Sequence, residues 1–393
     1  MIAPDFSQGQ EICELLNLPH KTSQPRSHAF LDRSLLQIQR LSKRSDRIRI
    51  EQDAVLPSAS PGLLSSDAIL GLNECASRIR SARLAGRPVI LAFGAHTIKN
   101  GLAPVLIRLM ERGWVTLLAT NGAGIIHDWE FAFQGSSSED VRANIDVGQF
   151  GIWEDTGFNL NLALVIGAYE GLGYGESIGK MIKREGLDIP HSNELLSTLS
   201  ISKHQDNDIA AATLDLLTTI RRFKINPGFH HIPHPFAAYS AQAAAFRMNV
   251  PFTAHPMFGH DIIYTHPANN GAAIGRVALR DFLTFAEQVH QLEGGVYLSV
   301  GSAVMSPMVF EKSLSMAQNL ELQQGRKITN HHMVIVDIAE SSWDWASNGE
   351  PPVSSPSYYL RFCKTFSRMG GTMRYISADN RSFLLSLLQL LEG

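Results

Sequence analysis

The chain has 393 residues, of which 44% are hydrophobic and 18% charged, the balance of a globular protein with enough apolar mass for a large core. Its 34 basic and 37 acidic residues give a net charge of −3, which argues against a nucleic-acid backbone as partner. Three cysteines, Cys13, Cys75 and Cys363, far apart in sequence, are an odd, sparse set that gives neither a disulfide framework nor a C-x-x-C metal knuckle, and they read as buried reduced thiols.

Met1–Gln10 lacks the basic start and apolar run of a signal peptide, and no apolar stretch reaches the length of a membrane span. The expected location is the cytoplasm. Residues 1–64 read as an N-terminal extension with short helices. Within it Lys21–Ser27 is polar, and Leu35–Arg49, with Leu35, Leu36, Ile38 and Leu41 among basic residues, predicts a short amphipathic helix. Leu56–Ser66 is rich in Pro, Ser and Gly and reads as a linker.

A helix follows from Ser66 to about Ala85, with Asp67 placed to cap it. Pro88–Phe93 is a short apolar strand, Pro104–Arg112 a helix stopped by Gly113, and Val115–Ala119 a second strand, which together make a βαβ unit. Leu160–Tyr169 is a strongly apolar helix, and 171–175 is a glycine-rich break between two helices. Ser192–Asn207 reads as a polar loop or insertion. Pro251–Ala254, Val296–Val300, His332–Ile338 and Met373–Ile376 are further strands, with helices at Ala278–Leu292, Pro307–Leu320, Pro356–Met369 and Arg381–Leu391. This alternation predicts an α/β class with one Rossmann-like, doubly wound, mainly parallel sheet flanked by helices over 65–393.

Ligands of such sheets bind beyond the carboxyl ends of the strands. Those ends here carry Gly94 and His96; Asn121 and Gly122; Gly259, His260 and Asp261; Gly301 and Ser302; Asp337; and Ala378 and Asp379. Glycines admit a ligand to the backbone, helix starts offer N–H groups to phosphate, and acids hold ribose hydroxyls, the set a dinucleotide requires. Taken singly, Asp337 or Asp379 reads equally well as a helix cap. Two familiar motifs fail. Gly171-Leu-Gly-Tyr-Gly-Glu176 places Glu176 where a glycine belongs and follows a helix, and Gly179-Lys180 lacks the rest of a phosphate loop.

His230, His231, His234, His255, His260 and His266 form a dense group in which His231-x-x-His234 has a spacing tolerable for zinc on a helix. Pro233 and Pro235 disfavour that helix, so these histidines read as polar groups of the same pocket, and no metal ligand is assigned.

The runs Phe93–Leu102 (FGAHTIKNGL) and Asn121–Glu130 (NGAGIIHDWE), with Gly259–Pro267, Gly301–Val304 and Arg280–Phe282, resemble the bacterial deoxyhypusine-synthase-like family. They are also similar to the ornithine-cyclodeaminase-like domains of arginine-catabolic enzymes. The resemblance implies a Rossmann-like fold, NAD as cofactor, and a homodimer or homotetramer. It also implies that His96 and Thr97 sit in a first phosphate-side loop, Asn121, Gly122 and Ala123 in a second, and Ala378-Asp379 near adenosine. The chain departs from the synthase in lacking the Trp-Gly-Lys motif that carries its lysine, and in having His127-Asp128 and Glu130 in place of its acidic pair.

The resulting expectation is an NAD-dependent transferase or lyase acting on a small amine or amino acid by oxidising a C–N carbon to an imine. His127 is the expected base, because its pKa lies near neutrality. Asp128, Glu130, Asp155 and Asp261 are candidates for the substrate ammonium, and His260 joins the catalytic set. Glu154-Asp155 beside Trp153 suits a cation, and equally a helix N-terminal acid cluster. Two other readings stay open: a nucleotide-binding module without turnover, and a metal-dependent hydrolase built on the 230–266 histidines.

Overall fold

The computed structural model describes residues 28–202 and 207–393. Cys13, Met1–Gln10 and Lys21–Ser27 lie outside the described residues. The chain divides into a short unit, Met1–Leu36, and a large one, Gln37–Gly393. In the short unit, the 3-10 turn Arg33–Leu35 is capped by Asp32, which accepts from Ser34 N.

The strands of the large unit are β1 (Asp46–Arg49), β2 (Val89–Phe93), β3 (Leu117–Thr120), β4 (Ser136–Glu139), β5 (Gly186–Ile189), β6 (Gly228–His231), β7 (Phe252–Ala254), β8 (Val296–Val300), β9 (His332–Asp337) and β10 (Thr372–Ser377). Its described helices longer than a single turn are α1 (Ser66–Leu84), α2 (Ala95–Lys99), α3 (Ala103–Glu111), α4 (Gly122–Gln134), α5 (Val141–Asp146), α6 (Glu154–Glu170) and α7 (Tyr174–Arg184). They continue with α8 (Ser192–Ser202), α9 (Asn207–Phe223), α10 (Ala241–Met248), α11 (Gly271–His290), α12 (Met305–Leu322), α13 (Arg361–Phe366) and α14 (Asn380–Glu392). None of the described helices is long and apolar enough to cross a membrane.

Among the described residues the main sheet has six strands in the order β10-β9-β8-β2-β3-β7, with every pairing parallel. The chain enters at β2 in the centre, winds outward through β3 to β7, returns to the centre at β8, and winds the other way. This is the doubly wound order, and its direction reverses between β2 and β8. β2 is buried along its whole length because helices cover both faces. Alternate residues divide between two cores. Val89, Leu91 and Phe93 pack with α1, α3 and α14, whereas Ile90 and Ala92 pack with α11, α12 and α13.

Four local expectations are corrected. Leu35–Arg49 forms no amphipathic helix, since Leu41–Lys43 is a 3-10 turn and β1 follows, paired antiparallel with β4. The cause is tertiary. Arg44 is pulled inward to buried carboxylates, and that ion pairing outweighs the local apolar spacing. Ser192–Asn207 is not a loop, because α8 occupies Ser192–Ser202, burying Leu195 and Leu199 four residues apart. Pro356–Met369 splits into a 3-10 turn, Pro356–Tyr359, and the short α13. The cap of α1 is Ser65, which accepts from Ala68 N, with Asp67 inside the first turn. The break at 171–175 is present, with Gly171 at φ 81° closing α6 and Gly173 opening α7.

Candidate active site

α4 starts where β3 ends. Asn121 caps it, its Oδ1 accepting from Gly124 N at 3.0 Å. Gly124 has no side chain because a Cβ there would collide with Thr120, whose hydroxyl donates to Phe93 O at 3.0 Å. The helix ends at Gly135, φ 74°, and the chain turns back into β4, which lays Ser137 against the flank of α4.

A cavity of about 660 Å³ opens between these elements. Its wall includes Arg44, Arg47, Lys99, Ala123, His127, Glu130, Ser138, Glu139, Asp140, Arg142, His260 and Asp261. Lys99 ends the helix that follows β2, Ala123 lies in the helix that follows β3, and Asp261 follows β7. The cavity therefore stands over the carboxyl ends of one half of the sheet.

Its central feature is a chain of hydrogen bonds. His127 Nδ1 lies 2.7 Å from Ser137 Oγ, and Ser137 Oγ donates to Glu130 Oε2 at 2.5 Å. Glu130 is buried and clamped by both Arg44 Nη atoms, at 2.8 and 2.6 Å, and by Thr156 Oγ1 at 2.9 Å. Burial alone would raise the Glu130 pKa, but the Arg44 guanidinium outweighs it and holds the carboxyl below its usual range. An ionised carboxylate only accepts, so the single Ser137 proton points at Glu130. The bond to His127 must then be donated by Nδ1–H, which leaves Nε2 as the basic nitrogen. Burial, reinforced by Lys99 and Arg44, lowers the His127 pKa and keeps the ring neutral near pH 7.

Asp261 is the second notable group. Its Oδ2 is buried without a hydrogen-bond partner, and burial lifts its pKa to about 7. It lies against the start of α4, where a Cβ on Gly122 would collide with it. Ser138, also in the wall, has φ 77°, a left-handed conformation strained for a residue with a side chain.

Of the residues singled out from sequence, Ala123, His127, Glu130, His260 and Asp261 line this cavity. Asp128 does not; it is 1% exposed and accepts from Ser240 Oγ at 2.6 Å, Ala241 N at 2.9 Å and Gln242 Nε2 at 2.9 Å. Asp155 is also elsewhere, bound to Arg40 Nη1 at 3.0 Å and Leu41 N at 2.8 Å. Glu154 meets His266 Nε2 at 3.2 Å.

The other strand-end residues gather along β2, β8, β9 and β10. Gly94 donates to Val300 O at 3.1 Å, and a Cβ on it would collide with Gly301 O, so the backbones touch where the winding reverses. Ser302 Oγ accepts from Ser306 N, Asp337 Oδ1 from Ala339 N, and Asp379 Oδ1 from Ser382 N as the cap of α14. Ala378 donates to Asp337 O. His96 and Gly259 are exposed and Thr97 is buried. Asn380 reaches Thr97 Oγ1 at 3.4 Å and Asn100 Nδ2 at 3.1 Å, which ties the β10 end to α2.

The histidine group is dispersed. His230 and His231 lie on β6, with ring nitrogens bonded to the carbonyls of Asn226 and Glu185, and His231-x-x-His234 is not helical. Among the described residues, no cluster of three or more His, Cys, Asp or Glu is placed to hold a metal.

Sequence reasoning missed Ser137, Arg44, Lys99, Ser138 and Arg142. Lys99 lay inside the Gly94–Gly101 run and was findable there. Ser137 and Arg44 reach the site through a pairing of β1 with β4 that no local pattern announces.

The fold and site define a doubly wound α/β protein with a His–Ser–Glu relay in a cavity at the carboxyl edge of its sheet. No family model matches the chain, and no curated protein matches it. Solved structures similar to it include mutant AgrE in complex with L-arginine, at 16% identity over 84% of this chain with TM-score 0.43. Another is AgrE with ornithine and NAD+, at 16% identity, 84% coverage and TM-score 0.41. A putative deoxyhypusine synthase from Entamoeba histolytica is 11% identical over 81% of this chain and 87% of its own, with TM-score 0.32. The chain spans 34% of the length of the AgrE structures. The fold assignment rests on the strand order itself.

Proposed function

We propose that the protein is an NAD-dependent enzyme that oxidises the C–N carbon of a small amine or amino acid to an imine, followed by transfer, elimination or re-reduction. The observation that carries this reading is the His127–Ser137–Glu130 relay, which orients a neutral imidazole over the carboxyl edge of a doubly wound sheet.

The residues present fit a dinucleotide. The close backbone approach of Gly94 and Gly301 forms a crevice floor without side chains at the reversal point, where such ligands cross. Asp337 and Asp379 end strands on one side of it and His127 stands on the other. The end of β3 carries the uncharged Asn121 rather than an acid, so ribose recognition falls to the carboxylates Asp337 or Asp379. Gly94, His96, Thr97, Gly122, Gly259, Gly301, Ser302 and Ala378 are assigned to the cofactor's surroundings on the same grounds. When bound, NAD+ supplies the hydride acceptor.

The chain's own part is proton handling. Loss of hydride from carbon and of a proton from nitrogen gives the imine, and His127 Nε2 receives that proton. Ser137 and Glu130 hold the ring in the required tautomer and stabilise the imidazolium that forms. Asp261, close to its titration point near neutrality, can carry a proton to or from the same space.

Calorimetry with NAD+ tests the cofactor, and no binding up to millimolar concentration would overturn it. Asp379→Asn, which keeps the helix cap, is expected to weaken NAD+ by about 1.5–3 kcal/mol, the scale of a charge-assisted hydrogen bond. His127→Ala is expected to spare NAD+ binding and abolish turnover.

A further inference from the structure

The cavity wall carries Arg44, Arg47, Lys99 and Arg142 against Glu130, Glu139, Asp140 and Asp261, and the ion pairs among them leave two of the cations over. Arg44 is spent on Glu130 and Asp46, and Arg47 is paired with Asp140. Glu139 is satisfied by Trp153 Nε1 at 3.1 Å, Asn144 Nδ2 at 2.7 Å and Gly151 N at 3.1 Å, with Arg44 Nη1 at 4.0 Å. Asp261 has no ion pair among the described residues, and its Oδ2 has no hydrogen-bond partner. Two cationic side chains remain, Lys99 and Arg142, each in the cavity wall and neither with an ion pair or side-chain hydrogen bond among the described residues.

We infer that the cavity binds its substrate through an anionic head group, a carboxylate, held between Lys99 and Arg142, and that it does not take a simple polyamine. This rests on reading the cavity as the substrate site.

The chemistry favours a carboxylate for two reasons. Lys99 and Arg142 belong to different elements, α2 and α5, so together they present a point charge and a planar fork to one ligand. No carboxylate in the wall is left to receive an ammonium ion except Asp261, whose burial disfavours its charged form. A substrate bearing both a carboxylate and an amine would set the first against the two cations and leave the second to His127 and Asp261. A diamine would meet two uncompensated positive charges, which costs binding.

The test compares L-lysine with cadaverine, which lacks only the carboxylate, and adds glutarate as a carboxylate without an amine. Binding is measured by calorimetry on the full chain and on Lys99→Gln and Arg142→Gln, with NAD+ titrated separately and melting temperatures as a folding control. L-lysine and glutarate are expected to bind and cadaverine not to. Each substitution is expected to weaken the two carboxylates about tenfold or more while leaving NAD+ affinity within about twofold. Cadaverine binding as tightly as L-lysine overturns the inference, as does failure of both carboxylates to bind at about 10 mM. Loss of NAD+ affinity in the variants, in parallel with the probes, also overturns it by assigning the cations to cofactor phosphates. If the unmutated chain binds carboxylates in a Lys99-dependent way but not NAD+, the inference holds and the cofactor reading fails.

Discussion

His127 and Ser137 lie ten residues apart across the end of α4, and their 2.7 Å contact sets which ring nitrogen carries the proton. Removing the hydroxyl removes that choice. Ser137→Ala is expected to lower turnover by about 10²-fold, the lower range of general-base contributions, with NAD+ affinity unchanged. Ser137→Thr keeps the hydroxyl and is expected to recover most of the loss. Steady-state kinetics beside calorimetry checks both. Equal loss in the alanine and threonine variants would point to packing rather than tautomer control.

Arg44 and Glu130 have side chains 1% and 2% exposed. Arg44→Met leaves Glu130 as an uncompensated buried charge and is expected to cost about 3–5 kcal/mol in urea unfolding. Arg44→Met combined with Glu130→Gln is expected to cost less than the single change, because Glu130 is then no longer a stranded charge and only Asp46 is left without its cation.

His234 is buried, with its ring edge-on to Trp129 and Phe133, each at 6.0 Å, and burial lowers its pKa to about 4. Its ordinary value is about 6.5, so the unfolded chain takes up a proton that the folded chain refuses between these values. The neutral ring's contribution is therefore present above about pH 6.5 and is lost as pH falls towards 4. His255, lowered by burial to about 3, acts in the same direction. His234→Phe is expected to flatten the fall in stability between pH 6.5 and 4, read from urea midpoints at each pH. An unchanged slope would show that His234 is not one of the groups responsible.

Ser138 holds φ 77° in the cavity wall. Ser138→Gly removes the steric cost of that conformation and is expected to raise stability by about 1 kcal/mol. Its melting temperature should therefore exceed that of the unmutated chain, and a decrease would show that the side chain contributes more than the strain costs.

The sheet was legible because its strands are short, mostly apolar runs, several of them closed by Gly, Asn or Asp, a pattern that local residues carry alone. Val89–Phe93 and Val296–Val300 appear where they were expected. What was not legible depends on distant partners. The residues before Arg49 imitate a helix because apolar side chains recur at suitable intervals, yet Arg44 answers to Glu130, 86 residues away. Asp261 was marked by composition at a strand end, His127 and Glu130 by the resemblance over Asn121–Glu130, and the three share a cavity. Asp128 and Asp155 had the same chemical credentials, but their carboxylates are taken up by backbone and side-chain donors that no spacing rule foretells. Ser137 stood in the run Gly135–Ser138, where nothing distinguishes one serine from the next.

The tether of Asp128 to the 240–242 segment has a consequence for α4 as a whole. Neighbouring residues face opposite ways, with His127 turned to the cavity and Asp128 to the start of α10, while Glu130 returns to Arg44. Inserting or deleting one residue in 122–126 would turn His127, Asp128 and Glu130 together by about 100° relative to the Asn121 start of the helix. No single side-chain change could restore both anchorages at once. The helix therefore has a fixed phase as well as a fixed length, and relatives that keep this site should place their length differences before Asn121 or after Gly135.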